Sequence, residues 1–225
     1  MIGLKTFSRG GVHPYERKSL TEHKEIWNAA VPSEAIVPLQ QHIGKSAEPQ
    51  VEKGDEVREG QLIGKAPGFV SANIHAPIPG TVKELRDVYL PNGLKTKAVV
   101  IELEGEFDRL GKEQQGADWR GREKKELLSS IRENGIVGMG GATFPTHVKY
   151  SLPQGKTCDW MILNGVECEP YLTADHRLML EMTDGVLEGL EIARGILDAD
   201  HVAIGIEENK PDVIDKMKRR VKERG

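Results

Sequence analysis

Cysteine is almost missing from this chain: its 225 residues hold two, Cys158 and Cys168. Two widely spaced thiols cannot supply the ligand set of a structural zinc or an iron–sulfur cluster, so they read as free, reduced thiols with no metal site. Long apolar runs are missing too. No stretch reaches the roughly eighteen residues a membrane-spanning helix needs, and Met1–Gly11 lacks the apolar core of a signal peptide, so the reading is a cytosolic chain. There is no basic excess, since 31 Lys and Arg face 35 Asp and Glu for a net charge of -4. Nucleic acid is therefore excluded as a partner on electrostatic grounds. Ser, His and Asp do not cluster in a catalytic pattern, and the lone His13 has no second ligand at metal spacing, so no catalytic residue and no metal ligand is assigned.

What the sequence does hold is glycine in one place. Gly138, Gly140 and Gly141 fall within four residues, inside Gly138-Met139-Gly140-Gly141-Ala142-Thr143-Phe144-Pro145. Glycines remove the Cβ atoms that keep a backbone away from a ligand and permit positive φ. Pro145 suits a helix start, so the loop reads as an anion site just before a helix, although the spacing is neither GxGxxG nor a Walker motif. About twenty residues on, the apolar run Trp160-Met161-Ile162-Leu163 reads as a buried strand ending in Asn164, Glu167 and Glu169. Ligands of open α/β sheets bind at the carboxyl ends of strands, where such polar residues emerge.

Taken in order, residues 1–34 read as an N-terminal arm and 35–104 as a small β domain with strands at Ile36–Leu39, Gly60–Gly64 and Ala98–Leu103. Residues 105–122 read as a linker, and 123–225 as alternating helices and strands, hence a parallel sheet with helices on its faces. The expected elements there are a helix over Glu123–Asn134, a short helix through Lys149, a long helix over Ala174–Leu197, a strand at His201–Ile206 and a last helix from Pro211. The apolar stripe of the long helix is read as Leu178, Met182, Val186, Leu190, Ala193 and Leu197, and the basic cluster ending the last helix as a solvated end. The fold class is thus α+β, a β domain followed by a Rossmann-like α/β domain that reads as incomplete.

Two resemblances follow from the motifs. Val51–Gln61 with its Gly54-Asp55 turn, followed by Ala76-Pro77-Ile78-Pro79-Gly80, resembles the hammerhead of biotinyl and lipoyl carrier domains, a barrel-sandwich hybrid. Such carriers bear a lysine on the hairpin between the two turns. Here that hairpin is Ala66–Ala72 and holds none, Lys65 lying before its tip, so a carrier function is the weaker alternative.

The glycine motif with Lys149, and Asn164-x-x-Glu167-x-Glu169-Pro170, resembles the flavin-binding domain of the 51-kDa NADH-oxidising subunit of respiratory complex I. With Arg9-Gly10-Gly11-Val12-His13-Pro14 and the lipoyl-like domain ahead, the order resembles the RnfC family found in Rnf electron transport complexes, ion-translocating ferredoxin:NAD oxidoreductases. The resemblance implies FMN and NAD(H) as cofactors, partner subunits of an Rnf complex, and a peripheral place on the cytoplasmic face of the membrane. It implies that Gly138, Gly140, Gly141 and Ala142 line FMN, that Lys149 meets the flavin, that Asn164 and Glu167 hydrogen-bond FMN, and that Phe144 and Glu169 receive the nicotinamide nucleotide. The chain departs from the complex I pattern at Met139, where that family has arginine, and at Val166, where it has aspartate, losing two polar contacts. It also implies that the chain is the N-terminal portion of such a protein, with 4Fe-4S clusters expected only in the C-terminal region. The other reading is a non-catalytic piece that docks subunits through its β domain and arm.

Overall fold

A computed structural model describes residues 14–112, 116, 118–140 and 142–224; the Arg9–His13 part of the arm motif and Gly141 lie outside them. Two compact units form, and their division does not follow chain order. One holds the described residues of 29–157 with 195–198, the other those of 1–28, 158–194 and 199–225.

The first unit is built on seven strands: β1 (Glu34–Pro38), β2 (Glu48–Pro49), β3 (Glu56–Val57), β4 (Leu62–Lys65), β5 (Ile74–His75), β6 (Gly80–Tyr89) and β7 (Lys95–Leu103). They make an antiparallel sheet in the order β1-β7-β6-β3 and a smaller one in the order β2-β4-β5. Leu39, Ile63, Val82, Val99 and Ile101 fill the space between them, each under 2% exposed. Burial of such side chains contributes about 1.5–3 kcal/mol each, which is the main source of this unit's stability.

The longest strand, β6, was not among the expected ones. Beyond Val82 and the bulge before Glu84 its residues are charged or half exposed, and a ribbon with no dry face gives no period-2 signal. Gly80 begins it at φ +152, where a Cβ would lie 1.8 Å from the carbonyl oxygen of Glu102, so the glycine of the second carrier-like turn is required by the sheet itself. The expected linker starts as part of this unit: Phe107 packs on the β core and the Arg109 amide donates to Glu59 at 2.7 Å. Helices α1 (Lys124–Glu133) and α2 (Thr146–Tyr150) complete it.

The second unit holds two parallel strands, β8 (Trp160–Gly165) and β9 (His201–Ile206), with helices α3 (Ala174–Glu181), α4 (Thr183–Leu197) and α5 (Pro211–Arg224). The single helix expected over Ala174–Leu197 is two. Met182 leaves helical geometry at φ -121, ψ 36, and Thr183 turns its hydroxyl back to the Met179 carbonyl at 2.6 Å. A threonine bonded back to the preceding turn bends a helix, and Thr183-Asp184 carries the start signal of a new one. The buried stripe shifts accordingly: Leu178 and Met182 are 39% and 57% exposed, whereas Met179, Leu187, Val213 and Met217 form the core. The basic end of α5 is more than solvated: Arg220 and Arg224 pair with Asp184 and Glu191 of α4.

Candidate functional site

The glycine loop closes on itself before any ligand is considered. The Thr146 amide donates to Ile136 O at 3.0 Å, the Gly138 amide to Phe144 O at 2.9 Å, and Val137 and Pro145 form an antiparallel bridge. Residues 139–143 are thus the tip of a tight loop, with Met139 95% exposed on it. The glycines do not use their freedom as expected. Gly138 and Gly140 keep ordinary φ values, and the left-handed residues are Gly135 (φ 64) and Thr143 (φ 48). Nor does packing demand them: a Cβ on Gly140 would meet nothing within 4 Å, and one on Gly138 only ordinary contacts with Phe144 at 3.8 Å. The open space beside them is therefore a cradle that a Cβ would fill. Lys149, exposed on α2, has no hydrogen-bond or ion-pair partner among the described residues, which leaves its ammonium available to an anion. Ala142 is exposed and Phe144 half-buried in the same loop. Since α2 is five residues long, its own dipole is short, and the loop rather than the helix end carries the feature.

The β domain holds this loop in place through the hairpin where carriers bear their lysine. His147 of α2 is buried; its Nε2–H donates to Phe69 O at 2.9 Å, and the rings of Phe69 and His147 meet edge to face at 5.6 Å. Val70 O accepts the Lys45 amide, Ser71 Oγ donates to Lys45 O at 2.7 Å, and the Ala72 amide donates to His42 Nε2. Asn73 reaches the end of α1, donating to Glu133 O at 3.1 Å. None of these contacts gave a sequence signal, because each joins residues distant in the chain and uses at least one backbone atom, which carries no residue identity.

Burial, with a smaller push from Arg132, holds His147 below the usual imidazole range, and burial with Arg109 does the same to His75. A depressed imidazole keeps its proton off in the fold while the unfolded chain takes one up below about pH 6.5. Stability of this unit is therefore whole above that pH and falls as pH drops through the folded value. Thermal unfolding between pH 8 and 5 is expected to show this decline, and His147→Gln, which keeps an N–H for Phe69 O, is expected to flatten it. An unchanged slope would assign the decline to other groups.

In the second unit the residues after β8 make the other half of the candidate set. Asn164 is exposed, and its Oδ1 accepts the Val166 amide at 3.1 Å. Glu167, only 9% exposed and left-handed at φ 52, accepts the amides of Asp175 and His176 at 2.7 and 3.2 Å, capping α3 from a distance. Glu169 is exposed on the same loop. Burial raises the Asp175 carboxyl, and the Glu167 and Glu169 charges raise it further, offset in part by Lys210. This rim is locally acidic and suits hydrogen-bond donors better than phosphate, the opposite of the glycine loop with its unpaired lysine.

Two buried lysines hold the loop from inside, and neither was singled out in the sequence. Lys210, 1% exposed, donates to Val166 O at 2.7 Å and to Glu207 at 3.0 Å; Lys18 donates to three further carbonyls of the loop. On α3, His176 is buried with its Nε2 on the Asp212 carboxylate at 3.0 Å. Burial acts to raise Asp212, but the His176 ring and the Val213 amide outweigh it and hold the carboxyl below its usual range.

Residues 5–106 match the family model of the RnfC barrel sandwich hybrid domain, and residues 131–225 match that of the Nuo51 FMN-binding domain. The chain belongs to the RnfC family. The RnfC protein of the proton-translocating ferredoxin:NAD(+) oxidoreductase complex of Clostridium ljungdahlii is 49% identical over 216 residues, covering 96% of this chain and 47% of that protein. Its counterpart in an ion-translocating oxidoreductase complex of Rhodobacter capsulatus is 42% identical over 96% of the chain and 42% of its own length. The counterpart in the Na(+)-translocating ferredoxin:NAD(+) oxidoreductase complex of Acetobacterium woodii is 40% identical over 93% and 47%. The chain spans about half the length of these RnfC relatives. The expected fold is thereby confirmed as a barrel-sandwich hybrid followed by an FMN-binding domain.

Proposed function

We propose that the chain is the NADH- and FMN-binding module of a membrane-associated ferredoxin:NAD oxidoreductase complex. It would pass electrons between NAD(H) and ferredoxin through flavin and iron–sulfur clusters. The observation that carries this reading is the cradle at Gly138 and Gly140, glycines that neither φ nor packing of the protein requires, beside an unpaired Lys149. FMN, when bound, supplies the hydride chemistry. The chain's task is to bind and orient. Gly138, Gly140, Gly141 and Ala142 admit the phosphate and ring, Lys149 offers its charge, and Asn164 and Glu167 offer hydrogen bonds to FMN, Glu167 through the lone pairs its cap leaves. Phe144 supplies a stacking face and Glu169 an acceptor for the nicotinamide nucleotide. No acid or base is needed, and positioning suffices.

Other subunits of the complex are the proposed partners, at the cytoplasmic face of the membrane. Among the described residues no helix is long and apolar enough to cross one. The iron–sulfur clusters would take their ligands elsewhere, since two cysteines do not make a four-ligand set.

The test is an FMN titration followed by flavin fluorescence. Gly140→Ala is expected to leave unfolding within about 1 kcal/mol of wild type, because its methyl meets no protein atom, while weakening FMN at least about tenfold by filling the cradle. Lys149→Ala is expected to lose about tenfold through the missing charge. Glu167→Gln is the poorer probe, because it also weakens the α3 cap. Wild-type affinity in both of the first two variants would sink the reading. A chain that binds no FMN in any form would favour the alternative, a docking piece.

A further inference from the structure

We infer that Lys18, far from the candidate residues in sequence, is a positioning residue for the Glu167–Leu172 loop. The inference rests on the reading of that loop as a nucleotide contact. Lys18 is 6% exposed and sits in a short 3-10 turn, Lys18–Leu20. Its Nζ donates to Glu167 O at 2.8 Å, Glu169 O at 2.9 Å and Leu172 O at 2.7 Å. An ammonium has three N–H donors, so all three are engaged, each by a backbone carbonyl of one loop. Burying a cation without a carboxylate beside it is unfavourable unless its hydrogen bonds are complete, and here they are completed only if the loop takes one shape.

That shape is otherwise a strained one. Glu167 (φ 52) and Tyr171 (φ 67) both lie in the left-handed region with side chains that disfavour it. The arm reinforces the grip nearby: the Tyr171 amide donates to Glu16 O at 2.7 Å, the Thr21 and Thr173 hydroxyls meet at 2.7 Å, and Arg177 donates to Glu22 O at 3.2 Å.

The consequence for binding follows from peptide geometry. In a planar trans peptide the C=O and N–H point in opposite directions. Drawing Val166 O to Lys210 and Glu167 O to Lys18 therefore turns the next two amides, those of Glu167 and Cys168, away from the lysines. These amides, with the exposed Asn164 and Glu169, make a preset rim of donors and acceptors of the kind that reads a flavin or nicotinamide edge. Lys18 touches no ligand in this scheme; it acts through the carbonyls.

The test uses the full-length protein with Lys18→Met and Lys18→Arg, read by amide hydrogen exchange and by FMN and NADH titration. Lys18→Met is expected to speed exchange across residues 167–172 at least about tenfold, leave β9 and α5 unchanged, and weaken nucleotide binding by about tenfold or more. Lys18→Arg keeps the charge and ample donors, so it is expected to return both readouts to within about threefold of wild type. Unchanged exchange in the loop of Lys18→Met overturns the inference. So does an increase shared equally by β9 and α5, or a failure to fold, since either would make Lys18 a general stability residue. Local loosening with unaltered affinity in a wild type that binds overturns the positioning role. A wild type that binds neither FMN nor NADH overturns the nucleotide reading beneath it.

Discussion

Gly135→Ala is expected to destabilise the β-domain unit by roughly 2–5 kcal/mol, while Gly140→Ala, five residues away, does almost nothing to stability. Gly135 has φ 64, and a left-handed alanine costs about 1–2 kcal/mol by itself. The added Cβ would also lie 2.2 Å from the carbonyl oxygen of Asn73, a backbone atom that cannot swing aside. Asn73 is the residue that ties the barrel to the end of α1, so the strain falls on the joint that carries the glycine loop. Urea unfolding of both variants checks the contrast, and hydrogen exchange over Glu133–Val137 checks the location. A loss below about 1 kcal/mol in Gly135→Ala would show that the joint yields easily and does not fix the loop.

Lys210→Met is expected to cost roughly 2–4 kcal/mol in the second unit. Removing one partner of a buried ion pair typically costs about 3–5 kcal/mol, because the other charge is left uncompensated. Here Glu207 keeps partial access to water, its side chain being 30% exposed, which moves the expectation toward the lower end. Burial acts to raise Glu207, but Lys210 outweighs it and holds the carboxyl below its usual range. The stabilisation from this pair is therefore present above the ordinary Glu pKa and lost as pH falls through the folded value. The wild type should show that loss on acidification, and Lys210→Met should show less of it. Equal stability of the two proteins at neutral pH would mean that methionine packs well enough to offset the lost pair.

How much of this was legible in the sequence depends on the range of the interaction. The carrier-like turns were legible because their glycines answer local needs: Gly54 turns at φ 96 with Asp55 accepting the Glu52 amide, and Gly80 passes the Glu102 carbonyl. The helices and both parallel strands followed from periodicity, which is also local. The break at Met182 was hidden because the apolar spacing runs through it, and only the Thr183 hydroxyl and the packing of Met179 show which face is buried.

The site was legible as a motif and not as a mechanical object. Glu167 reads as a ligand-facing carboxylate but caps a helix eight residues on, and Lys18 and Lys210 read as surface lysines in polar stretches but are among the most buried cations of the unit. No pattern of neighbours marks a lysine whose partners are carbonyls about 150 residues away. The glycines read as sources of positive φ, and it is their missing Cβ atoms instead that leave the room.

The grip of Lys18 on a loop 149 residues downstream also sets a timetable for the growing polypeptide. The arm leaves the ribosome first, yet its partners are made only after the whole barrel has been translated. The barrel's strands pair within residues 34–103, so it can close while synthesis continues. Until Leu172 emerges, the lysine that ends among carbonyls must stay in water, and the second unit cannot finish folding before the barrel's sequence is complete.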